Sequence, residues 1–156
     1  MATENRFMKE AIELSVANVR NGGGPFAAVV VRNGAVIGRG VNRVTVTNDP
    51  TAHAEVVAIR EACRSINSFQ LEGCEFYTTC EPCPMCLGAI YWARPAKVYY
   101  ANTREDAAKI GFDDSLIYEE ISRSFADRKI PSEQLMRDQA QAAFLEWERK
   151  ADKIRY

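Results

Sequence analysis

The sequence predicts an α/β protein of three layers, with helices on both faces of a central mixed sheet of about five strands. Three observations lead there. Apolar residues change period along the chain, from helical spacing over residues 3–21 to short β-rich runs at 26–31 and 75–78. An Asn33-Gly34 pair separates two apolar runs, the strongest short-range sign of a hairpin. Beyond the hairpin, helices and strands alternate as α-β-β-α-β-α-β, so later strands return by crossovers and the sheet mixes parallel with antiparallel pairs. With 156 residues, the chain has the length of a single domain spanning 1–156.

In the first helix, Met8, Ile12 and Val19 share one face, with Phe7 and Leu14 beside it. Asn21-Gly22-Gly23-Gly24-Pro25 ends it, since neither glycine nor proline sustains a helix interior. The continuous apolar run Phe26 to Val31 reads as a central strand, and Ala35-Val36-Ile37 as its hairpin partner. A polar loop from Asn42 to Pro50 leads to a second helix, capped by Asp49 or Thr51 and carrying the stripe Val56, Ile59, Cys63 and Ile66. Glu75-Phe76-Tyr77-Thr78 is the third strand. A helix from about Pro84 to Ala93 follows, closed by Pro95, and a fourth strand runs from Ala96 to Ala101. Short helices are expected near 105–109 and 115–122, an edge strand near 133–137, and a final helix at 139–152.

Composition narrows the function classes. Hydrophobic residues make up 47 % and charged residues 26 %, enough for a sizeable core in a soluble protein. The net charge of −1 offers no basic surplus for a polyanion, so nucleic acid is not an expected partner. The opening residues lack an apolar targeting segment and no run approaches membrane-spanning length, which predicts a cytoplasmic protein with no membrane contact. In that compartment five cysteines are thiols or metal ligands rather than disulfides.

The chemistry concentrates in one constellation. The only histidine, His53, is followed two residues later by Glu55, and downstream stands Pro82-Cys83-Pro84-Met85-Cys86. This matches the H-x-E…P-C-x-x-C signature of zinc-dependent nucleobase deaminases. Cys83 and Cys86, three apart on the first turn of a helix, present both sulfurs on one side. A helix N-terminus favours thiolate, and His53 stands at the start of the preceding helix. One nitrogen and two sulfurs suit a single zinc ion and leave its fourth tetrahedral position to water. Glu55, placed beside that water and not itself a ligand, is the expected proton carrier. The competing reading is a closed structural site with Cys80 or Glu55 as fourth ligand. Cys63, on the helix stripe, and Cys74, at a strand start, read as core thiols.

Longer segments carry a resemblance. Gly24-Pro25-Phe26-Ala27-Ala28-Val29, Asn48-Asp49-Pro50-Thr51-Ala52-His53-Ala54-Glu55, Cys80-Glu81-Pro82-Cys83-Pro84-Met85-Cys86 and Gly88-Ala89-Ile90-Tyr91-Trp92-Ala93-Arg94-Pro95 resemble the cytidine deaminase superfamily, in the branch shared with tRNA adenosine deaminases and fungal-type cytosine deaminases. Gly111-Phe112-Asp113-Asp114-Ser115 and the ending Lys153-Ile154-Arg155-Tyr156 are similar to the small bacterial guanine deaminases within it. The resemblance implies a cytidine deaminase-like fold and one zinc per subunit on His53, Cys83 and Cys86. It implies Glu55 as proton shuttle, with Asp114 pairing with the substrate's N–H groups and serving as a second proton carrier. Asn42 would bond the purine edge, Phe26 and Trp92 would wall the base, and the backbone of Ala54 and Cys83 would meet the reacting face. It further implies a homodimer whose C-terminal segments are exchanged, so that Tyr156 covers the partner's pocket; a frayed tail is the alternative. The expected reaction is guanine plus water to xanthine plus ammonia. Guanosine, cytosine, an aminotriazine or tRNA adenosine are alternative substrates, and a non-catalytic zinc-binding interaction module is the alternative of a different class.

Overall fold

Helix α1 (Arg6–Arg20) starts where Asn5 offers its Oδ1 to the N–H groups of Phe7 and Met8, both at 3.0 Å. The computed structural model describes residues 5–156, so the first two residues of the expected helix lie outside the described residues. The helix is rotated relative to the face expected from its large apolar residues. Ala11 and Ser15 are buried, flanked by Phe7, Met8 and Leu14, while Ile12 and Val19 are exposed. Small side chains bring the backbone close to the sheet, and Ser15 satisfies its hydroxyl on the Ile12 carbonyl at 2.8 Å, so its burial leaves no orphan. Gly22, at φ +86°, turns the chain out of the helix.

Strands β1 (Ala27–Arg32) and β2 (Ala35–Val41) form the expected hairpin. Asn33 and Gly34 both take left-handed φ, 51° and 77°, as a two-residue turn of this hand requires. A four-residue helix, α2 (Val44–Thr47), occupies part of the segment expected to be loop. Helix α3 (Ala54–Ser65) has His53 at its N-cap position and no side-chain cap. Neither Asp49 nor Thr51 caps it. Asp49 instead accepts from the Thr51 N–H and hydroxyl at 2.8 and 2.7 Å, tightening the turn that aims His53. The buried residues of α3 are Ala54, Glu55, Ala58 and Ala62; Ile59, Cys63 and Ile66 of the expected stripe pack half-buried at the core's margin. The alanine face meets Gly38 and Gly40 of β2. A Cβ at Gly40 would stand 2.0 Å from the Ala54 carbonyl oxygen, so the helix lies as near the sheet as backbone permits.

Strand β3 (Glu75–Cys80), helix α4 (Pro84–Ala93) and strand β4 (Lys97–Asn102) follow. The sheet has four strands in the order β2-β1-β3-β4, with β1 antiparallel to both neighbours and β3 parallel to β4. Strand alternation splits the core in two. Ala28, Val30 and Phe76 face α3 and α4, while Val29, Val31 and Tyr77 face α1. Helix α5 (Arg104–Lys109) opens with a capping box between Thr103 and Asp106.

The chain divides into two compact units between Asp114 and Ser115. The second holds α6 (Ser115–Ser122), a 3-10 turn at Phe125–Asp127 and α7 (Arg137–Arg149). The expected fifth strand near 133–137 is absent among the described residues. That segment is irregular, and Met136 at φ 51° has a left-handed backbone no strand accommodates.

Candidate metal centre

Two helices begin at the same place. His53 immediately precedes α3 and Cys83 immediately precedes α4, each in extended conformation at an N-cap whose side chain bonds no helix amide. Pro84 at the first position of α4 has no N–H to satisfy and a φ already suited to the helix, which fixes the start of that helix at Cys83. One turn on, Cys86 is buried.

The result is a triad. The His53 Nδ1 lies 3.5 Å from the sulfurs of both Cys83 and Cys86. Metal–sulfur and metal–nitrogen bonds of ~2.3 and ~2.0 Å at a tetrahedral angle give ligand–ligand edges of about 3.5 Å. The donor set and its spacing therefore fit zinc. Among the described residues, His53, Cys83 and Cys86 are the group of donors able to hold an ion. Cys80, the rival ligand by sequence, gives its thiol to the Thr103 carbonyl at 3.6 Å, and burial pushes its pKa up to about 11. Such a group stays a thiol and belongs to the packing under the loop.

The electrostatics of the triad suit a cation. The Cys86 thiol donating to Cys83, reinforced by the His53 imidazole, holds the Cys83 thiol down at about 4. The same contact, read from the other side, pushes Cys86 up. The Cys83 sulfur raises the pKa of His53. Two sulfurs and an imidazole thus share protons that a metal ion displaces on binding.

Glu55 lies in the first turn of α3, beside the triad but outside it. It is 7 % exposed, and its Oε2 sits 3.3 Å from the Cys86 sulfur. Burial raises its pKa, the direction expected of a carboxyl that must both take and give a proton near neutrality. Its other oxygen, Oε1, lies 3.3 Å from the hydroxyl of Thr78, a residue fully buried in β3 that sequence reading passed over. The available signal was parity: Thr78 shares the strand face of Phe76, toward α3.

Around this centre the predicted pocket residues take varied positions. Asn42 is buried; its Oδ1 accepts from the Val44 N–H at 3.3 Å and its own N–H donates to the Phe26 carbonyl at 3.0 Å. Phe26 is half-buried and meets Phe112 edge to face, with centroids 4.9 Å apart. Phe112, like Thr78, was not singled out as a site residue from the sequence. Ala54 is fully buried with its carbonyl against Gly40. Asp114 is half-buried; burial raises its pKa and the Cys83 sulfur adds to that, so its carboxyl stands within electrostatic reach of the triad. Trp92 is 64 % exposed on α4. Tyr156 belongs to the second unit, where it is exposed.

Comparisons with known proteins agree with this geometry. Residues 1–102 match the model of the cytidine and deoxycytidylate deaminase zinc-binding region. The chain is 52 % identical over 151 residues to guanine deaminase of Bacillus subtilis (strain 168), covering 96 % of this chain and 97 % of that protein. The X-ray structure of Bacillus subtilis guanine deaminase superposes with a TM-score of 0.94 at 51 % identity, over 98 % of this chain and 99 % of that one. A tRNA-specific adenosine deaminase from Aquifex aeolicus is 43 % identical over 95 residues, covering 61 % of this chain and 63 % of that protein.

Proposed function

The chain belongs to the cytidine and deoxycytidylate deaminase family, and from that premise we propose that it is a zinc-dependent guanine deaminase, converting guanine and water to xanthine and ammonia. The observation that carries the reading is a buried carboxylate, Glu55, held against a three-donor metal centre without joining it. A purely structural site has no use for a buried acid that stands beside the donors without being one of them.

His53, Cys83 and Cys86 would hold the zinc, which would supply the Lewis acidity that makes water a competent nucleophile at neutral pH. Glu55 would take a proton from the attacking water and deliver it to the ring nitrogen beside carbon 2. The same carboxyl would then take the remaining proton from the hydroxyl newly bonded to carbon 2 and give it to the departing amine. The C–N bond would break as the carbonyl forms, so that one residue moves both protons. Asp114 pairs with the substrate's N–H groups and acts as a second proton carrier, a reading supported by the reach of the Cys83 sulfur to its carboxyl. Asn42 bonds the purine edge, and Phe26 and Trp92 wall the ring. The backbone of Ala54 and Cys83 lines the reacting face.

Guanine is favoured over tRNA adenosine by two observations. The net charge is −1, and the match to the tRNA enzyme of Aquifex aeolicus leaves over a third of the chain uncovered, whereas the guanine deaminase match spans nearly all of it. Ammonia release from guanine, guanosine, adenine, cytosine and ammeline tests the assignment. Guanine is expected to be the best substrate; release only from another base reassigns the substrate, and release from none with zinc bound makes the protein a binding module.

The second unit supports a homodimer in which C-terminal segments are exchanged and Tyr156 closes the partner's pocket. No residue from 115 to 156 is buried in the single chain, although Phe144, Trp147 and Ile154 are large and apolar. Mixing a chain truncated before Tyr156 with one carrying Glu55→Gln discriminates the arrangements. Exchange predicts that the mixture regains activity neither variant has alone; no recovery in a verified mixed dimer places the tail on its own pocket. All five cysteines are free, which fits the reducing cytoplasm, and no helix among the described residues is long and apolar enough to cross a membrane.

A further inference from the structure

Two threonines sit side by side in β3, both buried to within 2 % of full coverage, and they do different things. Thr79 faces away from α3, and its hydroxyl oxygen accepts from the Ala27 N–H at 3.0 Å, which fastens the start of β1. Thr78 faces α3 and the metal centre. Its hydroxyl oxygen lies 3.1 Å from the Cys80 carbonyl oxygen and 3.3 Å from Glu55 Oε1.

A hydroxyl has one proton and two lone pairs, whereas a carbonyl only accepts. When Glu55 is ionised, the Thr78 proton can point to Oε1. When Glu55 carries a proton on Oε1, that proton can point to Thr78, whose own proton turns to the Cys80 carbonyl. The single Thr78 proton serves Oε1 or the Cys80 carbonyl, one at a time, and rotation about one C–O bond moves it between them. A valine in the same space offers neither partner. An unmatched buried oxygen is costly, so Glu55 without this hydroxyl would swing toward another donor and lose its aim at the substrate.

We propose that Thr78 is a positioning residue for Glu55, a hydroxyl that holds the carboxyl in one orientation beside the metal centre. This rests on Glu55 as the proton carrier of the proposed deamination. Neighbouring Cys80 shares in it through its main-chain carbonyl alone, so a thiol at that position is not required for the contact.

The test compares Thr78→Val, nearly identical in shape, with Thr78→Ser, which keeps the hydroxyl, in the zinc-loaded full chain. Infrared difference spectra against Glu55→Gln isolate the Glu55 carboxyl band. That band is expected to shift in T78V and to return in T78S, while zinc content stays at the parent level. With guanine, kcat of T78V is expected to fall roughly ten-fold at an unchanged KM, and T78S to recover most of it. An unmoved band in T78V overturns the contact whatever the activity. Parent-level kcat in T78V, or a T78S as slow as T78V, overturns the positioning role. Should the parent release no ammonia from guanine, the functional reading falls while the infrared band still decides whether Thr78 holds Glu55.

Discussion

The two units of this chain solve burial in opposite ways. Residues 5–114 bury Val29, Val30, Val31, Leu71 and Phe76 completely and close a core on each face of a sheet. Residues 115–156 bury nothing, and Leu145 and Trp147 remain over 40 % exposed on α7. Helix propensity is thus enough to shape the second unit but not to stabilise it, because helices of this length draw most of their stability from a packed face. The first unit has the means to stand alone. The second carries large apolar side chains and no buried core of its own.

The largest expected effect lies in the first unit's chemistry. Glu55→Gln should retain zinc by elemental analysis and lose on the order of 10²–10⁴-fold in kcat; a variant that keeps parent-level turnover ends the proton-carrier role. Next comes its packing. Gly40→Ala forces a methyl into the Ala54 carbonyl, and thermal melts should show a loss of about 3 kcal/mol or outright failure to fold. The second unit should behave differently. Trp147→Ala removes a side chain more than half covered in the single chain, so an isolated chain predicts a loss of about 1–2 kcal/mol with a melt independent of concentration. Exchange predicts a concentration-dependent melt and a lower sedimentation coefficient instead. Smallest of all, Glu10→Gln breaks the 2.6 Å contact with Arg39 at the surface and should cost under about 1 kcal/mol, falling further in salt.

What the sequence made legible was local. Asn33-Gly34 specifies its own turn, and the three-residue spacing of Cys83 and Cys86 places two sulfurs on one helical turn whatever surrounds them. Pro84 marks the helix start without any tertiary information. What escaped was decided across the chain. The inward face of α1 turned on Ala11 and Ser15 because the sheet rewards close approach there, and large residues such as Ile12 point out. The same substitution of small for large happened on α3, where Ala58 and Ala62 meet glycines of β2. Thr78 reaches Glu55 over 23 positions, and Phe112 reaches Phe26 over a longer stretch still. No local pattern announces either pair. The expected strand near 133–137 had apolar residues at Leu135 and Met136 but no alternation to commit it to a sheet face.

A residue that opens a helix ordinarily lends its side chain to the amides of the first turn, and neither His53 nor Cys83 does. Both are turned instead toward a common point, leaving the beginnings of α3 and α4 to be clasped by whatever sits there. Removing zinc should therefore fray two helices at once, and chelator should lower the melting temperature as well as silence the enzyme. In this architecture a bound ion would brace two helix starts as well as act as a reagent.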